Sequence, residues 1–291
     1  MGVKRVSWFD KFRFFFEAMQ SYLQEGAFFH GASLAYYTLF SFVPIVYLAT
    51  SIFGRIFGQH NMEHMIVGFL REQIGIQDTS GILQFLKGVE LEKPNVVLEI
   101  VSVIVLIIGG SAFFTSLKRS MNDFFEIPKE RRQEGNVVLN FLSFKFLSIA
   151  LLALFSSLVI MMYFLQIFVV SAVEHYLQAN SFILSASVIV LENLLSIASN
   201  FMIFVLIFKF VHDGKIQWKL AIYGGLITAV LLFATELLLR YYLRNYFFLG
   251  KMGIAGSLFV ILAWVNYSAQ MVFLGAKFTA MLGKKIGMEI E

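Results

Sequence analysis

The sequence predicts an all-α membrane protein that crosses the bilayer several times, and three observations lead to this fold class. Only 14% of the 291 residues are charged, against roughly 25% in an ordinary soluble domain, and 58% are hydrophobic. Apolar runs close to the about 20 residues that cross a hydrocarbon core recur along the chain. Phenylalanine occurs 34 times and proline only 3 times, which suits long helices facing lipid. Because lipid offers a bare backbone no hydrogen-bond partner, each run should form a helix.

Six apolar runs predict six transmembrane helices, at about residues 32–54, 96–117, 139–170, 182–208, 219–243 and 253–282. The third and sixth runs exceed the minimum length, so tilt or an interfacial extension is expected there. No linker, repeat or low-complexity tract marks a further domain, and we expect a single membrane domain over 1–291. Its segments are an interfacial helix at 1–30, a six-helix bundle at 32–282 and a cytoplasmic tail at 283–291.

The first 30 residues do not have the pattern of a cleaved signal peptide. Apolar residues recur there at helical spacing, namely Trp8, Phe12, Phe15, Phe16, Met19, Tyr22 and Leu23. Polar residues fill the other side, namely Lys11, Arg13, Glu17, Gln20 and Gln24. This pattern is typical of an amphipathic helix in the membrane interface, here on the inner leaflet. Packing on the bundle, with a role in stability alone, fits the pattern equally well.

The first outer loop, at about 55–95, is the one sizeable outer segment. Two apolar stripes flank a turn signal there, and they comprise Met62, Met65, Ile66, Phe69 and Leu70, then Ile82, Phe85, Leu86 and Val89. These stripes predict two short amphipathic helices. The helices either lie on the outer leaflet or cap a cavity.

The distribution of Lys and Arg predicts that both termini lie in the cytoplasm. With the N-terminus inside, 16 of the 23 basic residues fall on the cytoplasmic side. The seven outside are Arg55, Arg71, Lys87, Lys93, Arg240, Arg244 and Lys251. The sequence pI of about 9.1 then reflects a basic membrane-surface face. Membrane lipids are the expected partners, and nucleic acid is not.

The first predicted span carries polar side chains on one helical face. Tyr37, Ser41 and Pro44 lie three or four residues apart and therefore share that face, which Ser33 extends. Pro44 removes one backbone hydrogen bond and should kink the helix, while the hydroxyls of Thr38 and Ser41 can bond nearby carbonyls. Such a face must contact other helices or water. Since Ser and Thr commonly join helices in membranes, a purely structural role is the alternative to a pathway.

Ionisable residues inside the spans give the sharpest functional signal, because a charge at the bilayer centre costs roughly 2.5–3.5 kcal/mol on insertion scales. On the fourth span Glu192 shares a face with Asn200, and Asn193 lies beside it. On the fifth span Glu236 stands one turn before Arg240. With a rise of about 1.5 Å per residue, Glu192 and Glu236 reach similar depths below the outer surface. We expect them to meet in a polar centre.

We interpret ten residues as a substrate or ion pathway. They are Glu192, Asn193, Asn200, Glu236 and Arg240, together with Tyr37, Ser41, Pro44, Asn266 and Gln270. Lys277 continues the polar stripe of the sixth span toward the cytoplasm. An anionic head group would be drawn to Arg240, while a protonatable Glu would couple its movement to a proton gradient. The alternative is an ion pair between Glu236 and Arg240 that only fixes helix register.

No catalytic, cofactor or metal site is predicted, and we do not expect an enzyme. The histidines are scattered over loops and helix ends, at His30, His60, His64, His175 and His212. The sequence has no cysteine, zinc-ligand spacing, phosphate-binding loop or nucleophile elbow. Small-residue clusters at 109–112, 224–229 and 253–257 predict close helix packing and no chemistry.

Three segments resemble the YihY/BrkB family of bacterial inner-membrane proteins. They are SLAYYTLFSFVPI in the first span, SLKRSMNDFFEI after the second, and the last third from GKIQWKLAIYGGL to FLGAKFTA. The resemblance implies a six-helix inner-membrane protein with transport or envelope roles. The family commonly has an acidic residue and then Asn where this chain has Lys277 and Thr279, so a role tied to that acidic group does not carry over. The family's ribonuclease label would require metal ligands that this sequence lacks.

Two classes of function remain open on this basis. In the first, the chain transports or exports a lipid or another amphipathic envelope molecule, with the polar faces of spans 1, 4, 5 and 6 lining its path. In the second, it is a scaffold that transports nothing and whose basic inner face binds anionic lipid or a protein partner. A water-filled cavity reaching Glu192 would favour the first class, and a tightly packed interior would favour the second.

Overall fold

The computed structural model describes residues 8–58, 66–68, 95–128, 182–246, 253–288 and 290, with helical positions at 157, 161, 165, 168 and 169. Across these residues all regular structure is helical, as the predicted all-α class requires. The long helices are α1 (Trp8–Gln24), α2 (Ala27–Phe57), α3 (Val96–Phe124), α4 (Phe182–Phe210), α5 (Trp218–Tyr246) and α6 (Gly253–Ile286).

Five of the described helices, α2 to α6, are long and apolar enough to cross a membrane. They correspond to five of the six predicted spans. The remaining span, 139–170, lies outside the described residues apart from the isolated helical positions, so the count of six stays a prediction. The two expected outer-loop helices also lie outside the described residues, except that 66–68 is helical.

Local capping chemistry explains several helix boundaries. The side-chain oxygen of Asn95 accepts hydrogen bonds from the backbone N–H groups of Val97 (3.0 Å) and Leu98 (3.3 Å), which caps the start of α3. Just after α1 and α2, the backbone turns through Gly26 (φ 73°) and Gly58 (φ 87°). Glycine adopts this left-handed conformation without the steric strain of a Cβ atom, so both positions suit helix ends.

The chain divides into two compact units. The first unit comprises Met1–Glu25, Lys118–Phe233 and Val272–Glu291. The second comprises Gly26–Leu117 and Ala234–Met271. Helices α3, α5 and α6 therefore contribute residues to both, whereas α1 and α4 belong to the first and α2 to the second. The expected single membrane domain over the whole chain stays a prediction.

In the first unit, α5 and α6 cross at a reciprocal pair of Gly and Thr residues. A Cβ atom added to Gly224 would lie 2.1 Å from Oγ1 of Thr279, and one added to Gly275 would lie 1.8 Å from Oγ1 of Thr228. Each hydroxyl donates to a carbonyl of its own helix, Thr228 to Gly224 (2.8 Å) and Thr279 to Gly275 (2.6 Å). The helices therefore approach closely with no hydroxyl left unpaired, as the small-residue clusters predict.

Aromatic rings fill the core of the first unit. The ring of Phe124 stacks on Phe273 with centroids 5.2 Å apart, and Tyr22 lies 5.4 Å from Phe124. Phe125 meets Phe208 edge to face at 5.5 Å. Together these rings bring α1 and α4 against α3 and α6, and all five are buried.

Hydroxyl groups and small residues join α2 to α3 in the second unit. The hydroxyls of Ser33 and Ser116 hydrogen-bond at 2.8 Å. A Cβ atom on Gly109 would lie 2.6 Å from Oγ of Ser41, so only glycine permits this approach. A separate apolar cluster brings Val46 of α2 against Val260 and Ile261 of α6. These contacts agree with the structural role of Ser and Gly in membrane helices.

Much of α3 is apolar and exposed. Large side chains that the fold leaves uncovered are Val96, Val97, Leu98, Ile100, Val101, Val103, Ile104, Ile107 and Ile108. A contiguous apolar surface of this kind is unusual for a protein in water but is suited to contact with lipid tails.

Candidate functional site

The ionisable pair of the second unit lies within α5. Nη2 of Arg240 is 3.9 Å from Oε2 of Glu236, with the side chain of Glu236 12% exposed and that of Arg240 36% exposed. This distance is too long for a hydrogen bond, so the pair is loose. The Nε atom of Arg240 is buried and has no hydrogen-bond partner among the described residues. The guanidinium thus keeps an unused donor inside a membrane-length helix.

Two hydroxyl groups of α2 bond to carbonyls of their own helix. Ser41 is buried and donates to the carbonyl of Tyr37 (3.0 Å), and Thr38 donates to that of Leu34 (2.9 Å). Hydroxyl bonding to nearby carbonyls is therefore confirmed. Pro44 lies buried inside α2, and Tyr37 is partly buried. Their role in a pathway stays a prediction.

Asn266 and Gln270 lie one turn apart on α6, where Gln270 is buried. The side-chain amide of Gln270 donates to the carbonyl of Ala27 (3.3 Å) and approaches Oδ1 of Asn266 at 3.5 Å. A Cβ atom on Gly31 would lie 2.4 Å from Nε2 of Gln270, so glycine lets α2 lie against this amide. The amide of Gln270 thus joins the start of α2 to α6.

The remaining predicted pathway residues belong to α4 in the first unit. Asn193 and Asn200 are partly buried. The side chain of Glu192 lies outside the described part of the structure. Its predicted meeting with Glu236 therefore stays a prediction.

A second ionic site, in the first unit, surrounds Lys277 of α6. The Lys277 side chain is only 1% exposed, and its Nζ lies 2.6 Å from Oε1 of Glu126. The same Nζ also binds a carboxylate oxygen of Glu25, directly after α1. Lys284, two turns further along α6, pairs with the other carboxylate oxygen of Glu126. We call Glu25, Glu126, Lys277 and Lys284 the Lys277 cluster.

Glu126 reaches this position through an unusual end to α3. The N–H of Ile127 donates to the carbonyl of Asn122 (2.9 Å), and that of Glu126 donates to Asp123 (3.0 Å). These two bonds form a Schellman motif, whose left-handed residue is usually glycine. Here that residue is Glu126, with φ 57°, whereas α6 ends at Gly287 with φ 72°. A Glu side chain therefore stands where a glycine would be less strained.

Two opposing effects determine the pKa of the Glu126 carboxyl. Partial burial raises the pKa of its carboxyl, but hydrogen bonds and charge from Lys277 and Lys284 outweigh burial and lower the pKa below its ordinary value. Glu126 is therefore an anion at neutral pH. The four members of the cluster then carry two positive and two negative charges.

A third polar site, which also belongs to the first unit, joins the end of α3 to the loop before α5. Nζ of Lys118 lies 2.6 Å from Oδ1 of Asp213. The side-chain amide of Asn122 donates to Oδ2 of Asp213 (2.7 Å), and the backbone N–H of Asp213 donates to Oδ1 of Asn122 (2.9 Å). Reciprocal bonding of this kind fixes the loop on α3.

His212 in the same loop is neutral. Its Nδ1 accepts a hydrogen bond from the backbone N–H of Gly214 (3.1 Å), so Nε2 carries the hydrogen and donates to the carbonyl of Phe208 (2.6 Å). Burial lowers the pKa of His212 below its ordinary value. The imidazole therefore acts as a structural link, with both nitrogens occupied.

Sequence reasoning missed the partners of Lys277. Glu25 and Glu126 follow helix ends and carry no periodic signal, although Glu126 belongs to the family-like segment SLKRSMNDFFEI. A charged residue in an otherwise apolar helix end would have justified a search for opposite charges just outside the other spans. In the described residues no group of three or more His, Asp or Glu side chains is arranged to hold a metal.

A family model described as Virulence factor BrkB matches residues 18–291. The chain belongs to this family. Two membrane proteins of the UPF0761 group are similar to it: one from Alkalilimnicola ehrlichii is 22% identical over 87% of this chain and 54% of its own length. The other, from Pseudomonas paraeruginosa, is 23% identical over 84% and 56%, respectively.

The chain therefore spans about half the length of the curated relatives it matches. No solved structure matches it. Membership of this family confirms the resemblance seen in the sequence, and the apolar helices agree with a protein that passes through a membrane several times.

Proposed function

We propose that this BrkB-family protein transports or exports a lipid-like or other anionic envelope molecule across the bacterial inner membrane. The observation that supports the proposal is the Glu236–Arg240 pair within a membrane-length helix. Its two charges are 3.9 Å apart at their nearest atoms, and Nε of Arg240 has no partner among the described residues. A chain that needed only a helix-register pair would gain from a tighter contact.

Chemically, such a pair suits an anionic substrate. Arginine presents five N–H donors in a planar fork, which matches a phosphate or carboxylate with two parallel hydrogen bonds. Arg240 is 36% exposed against 12% for Glu236, so its side chain is the more accessible partner of the pair, although its Nε is buried. An anionic head group would therefore displace the Glu236 carboxylate from the guanidinium of Arg240. Protonation of Glu236 would favour this displacement, because it removes the competing negative charge.

The proposed orientation has both termini in the cytoplasm. Its support is the excess of basic residues that this placement puts on the inner side of the membrane. The inner membrane itself is proposed from the family resemblance alone.

Reconstituted vesicles test the transport proposal directly. Full-length protein is placed in liposomes with a fluorescent phosphatidylglycerol, and the movement of the probe between leaflets is followed by dithionite bleaching. We expect the wild type to speed this movement and Arg240→Gln to slow it by about tenfold or more per folded protein, the factor that 1.4 kcal/mol of lost contact gives. Unchanged movement in Arg240→Gln would overturn the role of Arg240, and an inactive wild type would overturn transport of this probe.

The matched control lies in α1, where Arg13 and Glu17 form another ion pair at the same spacing. Arg13→Gln also removes one cation from an i,i+4 pair. It should leave probe movement at the wild-type rate, because this pair lies on the exposed face of α1.

A membrane scaffold that binds anionic lipid is the second candidate, and the faces of α1 favour it. Ala18 and Tyr22 are buried, Phe16 and Leu23 are exposed apolar residues, and Arg13 is an exposed cation. A helix with separate faces for protein, lipid and water suits the membrane interface. Anionic vesicles that recruit the protein without any probe movement would support the scaffold over the transporter.

A further inference from the structure

The carboxylate of Glu126 occupies a position that a free anion could fill. Its Oε1 lies 2.6 Å from Nζ of Lys277, and its Oε2 binds Nζ of Lys284. Two ammonium groups thus converge on the two oxygens of one anionic group. A phosphate group with two oxygens facing the same lysines would make the same pair of charge-assisted hydrogen bonds.

Glu126 is held there against its own backbone preference. The residue ends α3 in the left-handed conformation, at φ 57°, while the other positive-φ positions described in the chain are glycines: Gly26, Gly58 and Gly287. A side chain with a Cβ atom is strained in this region. The two ion pairs offset that strain and hold Glu126 in the left-handed conformation.

Departure of Glu126 would leave the lysines in need of another anion. The remaining members would be Lys277 and Lys284 against the single carboxylate of Glu25, which gives a net positive charge. Lys277 is 1% exposed, so water cannot easily replace its lost partner, whereas Glu126 is 36% and Lys284 55% exposed. The site is therefore open on the side of the occupant and closed behind Lys277.

We propose that Lys277 and Lys284 form a binding site for a phosphate-type anion and that the Glu126 carboxylate competes for it. The ligand is either a free phosphate or the phosphate of a lipid head group. Lys285, the residue after Lys284, adds a further positive charge in the last turn of α6. This inference stands apart from the transport proposal, since it concerns binding and requires no movement across the membrane.

Removal of the competing Glu126 carboxylate tests the proposed site, because the variant should bind phosphate more tightly than the wild type. Purified full-length Glu126→Gly and Glu126→Gln proteins are heated in detergent with sodium phosphate or sodium chloride at equal ionic strength. Glycine suits the left-handed backbone and glutamine keeps the side-chain length, so either variant alone suffices for the test. We expect both to bind phosphate about tenfold more tightly than the wild type, seen as a larger phosphate-specific rise in the unfolding midpoint.

Two controls test whether the phosphate response depends on this site. Adding Lys284→Gln to Glu126→Gly should abolish the phosphate-specific rise, because one of the two ammonium groups is lost. Glu17→Gln removes a carboxylate from the exposed ion pair of α1 and should respond to phosphate as the wild type does. An equal response of Glu126→Gly and Glu126→Gln to phosphate and chloride, in detergent and in lipid, would overturn the proposal.

The same variants in nanodiscs distinguish the source of the phosphate. Discs of phosphatidylcholine are compared with discs that contain phosphatidylglycerol, each with and without free phosphate. A rise caused by phosphatidylglycerol that free phosphate does not increase assigns the site to a lipid head group. A rise that needs free phosphate in both kinds of disc assigns it to the soluble anion.

Discussion

The Lys277 cluster of the first unit and the Glu236–Arg240 pair of the second both place charges on membrane-length helices, yet they are built differently. Lys277 is 1% exposed and meets Glu126 at 2.6 Å, with Glu25 as a further partner. Arg240 is 36% exposed and lies 3.9 Å from Glu236. One cation is enclosed and saturated, while the other is accessible and only loosely paired.

Sequence separation explains this difference. The partners of Lys277 lie 252 and 151 residues away and are delivered by other elements, so they can surround the ammonium group. Glu236 and Arg240 lie one turn apart on a single helix, so the carboxylate approaches the cation from one side only. A charge held from several directions stabilises the fold and can bind a ligand only when one of its partners leaves, whereas a charge held from one side is directly available to a ligand.

The largest expected effect is the loss of Lys277. Lys277→Met leaves Glu25 and Glu126 without their shared cation and should lower the free energy of unfolding by about 3 kcal/mol, the lower end for a broken buried pair because both carboxylates are partly exposed. Denaturant unfolding in detergent measures this loss. Lys277→Arg, which keeps the charge, should lose less, and a Lys277→Met protein as stable as the wild type would contradict the account.

Replacing a glycine at a helix contact by alanine should likewise cost more stability in the first unit than in the second. Gly275→Ala forces a Cβ atom into the short, packed side chain of Thr228, and we expect a loss of about 2 kcal/mol. Gly31→Ala meets the ends of the longer Gln270 and Asn266 side chains, which can move aside, so about 1 kcal/mol is expected from their weakened hydrogen bonds. Thermal unfolding compares the two variants, and a greater loss for Gly31→Ala would reverse the predicted order.

Acid should weaken the Lys277 cluster through Glu126. The pKa of this carboxyl is lower in the folded protein than its ordinary value of 4.5, so folding favours the ionised form. The resulting stabilisation is present above that ordinary value and is lost as the pH falls through the folded pKa. We expect it to be below about 1 kcal/mol, because Glu126 is partly exposed.

Unfolding of the wild type and of Glu126→Gln across this pH range measures the effect. The stability difference between them should be constant at neutral pH and shrink in acid. A difference that grows as the pH falls would contradict the assigned ion pairs.

The smallest effect on stability is expected at Arg240. Arg240→Met should change the free energy of unfolding by no more than about 1 kcal/mol, because its ion pair is long and partly exposed. The unfolding experiment used for Lys277→Met serves here too. A loss as large as that of Lys277→Met would mean that the pair is structural after all.

Helix positions could be predicted because hydrophobicity is a local property. The run at 96–117 became α3 and that at 253–282 became α6, each extended by a few polar residues that no hydropathy pattern includes. The Glu236–Arg240 pair was also visible, since both residues lie one turn apart. In contrast, no residue near Lys277 in the sequence indicates that Glu25 and Glu126 are its partners, because their contact with Lys277 depends on how the helices pack.

The end of α3 could not be predicted from the sequence for another physical reason. Helix ends are usually found from glycine, as at Gly26 and Gly287, but Glu126 takes the left-handed position itself. Its conformation follows from the lysines that hold it and from the Schellman hydrogen bonds. Sequence patterns report average preferences, and this residue departs from the average because of distant charges.

Water access to residue 240 tests most directly the claim that Arg240 belongs to a polar pathway. The chain has no cysteine, so Arg240→Cys and Leu238→Cys each introduce a single thiol into α5. Leu238 is 69% exposed on the protein and should face lipid. Since a charged thiol reagent reacts with thiolate in water, the account predicts labelling at 240 and none at 238 in intact membranes. Absence of labelling at 240 in the folded protein, or equal labelling at both sites, would contradict it.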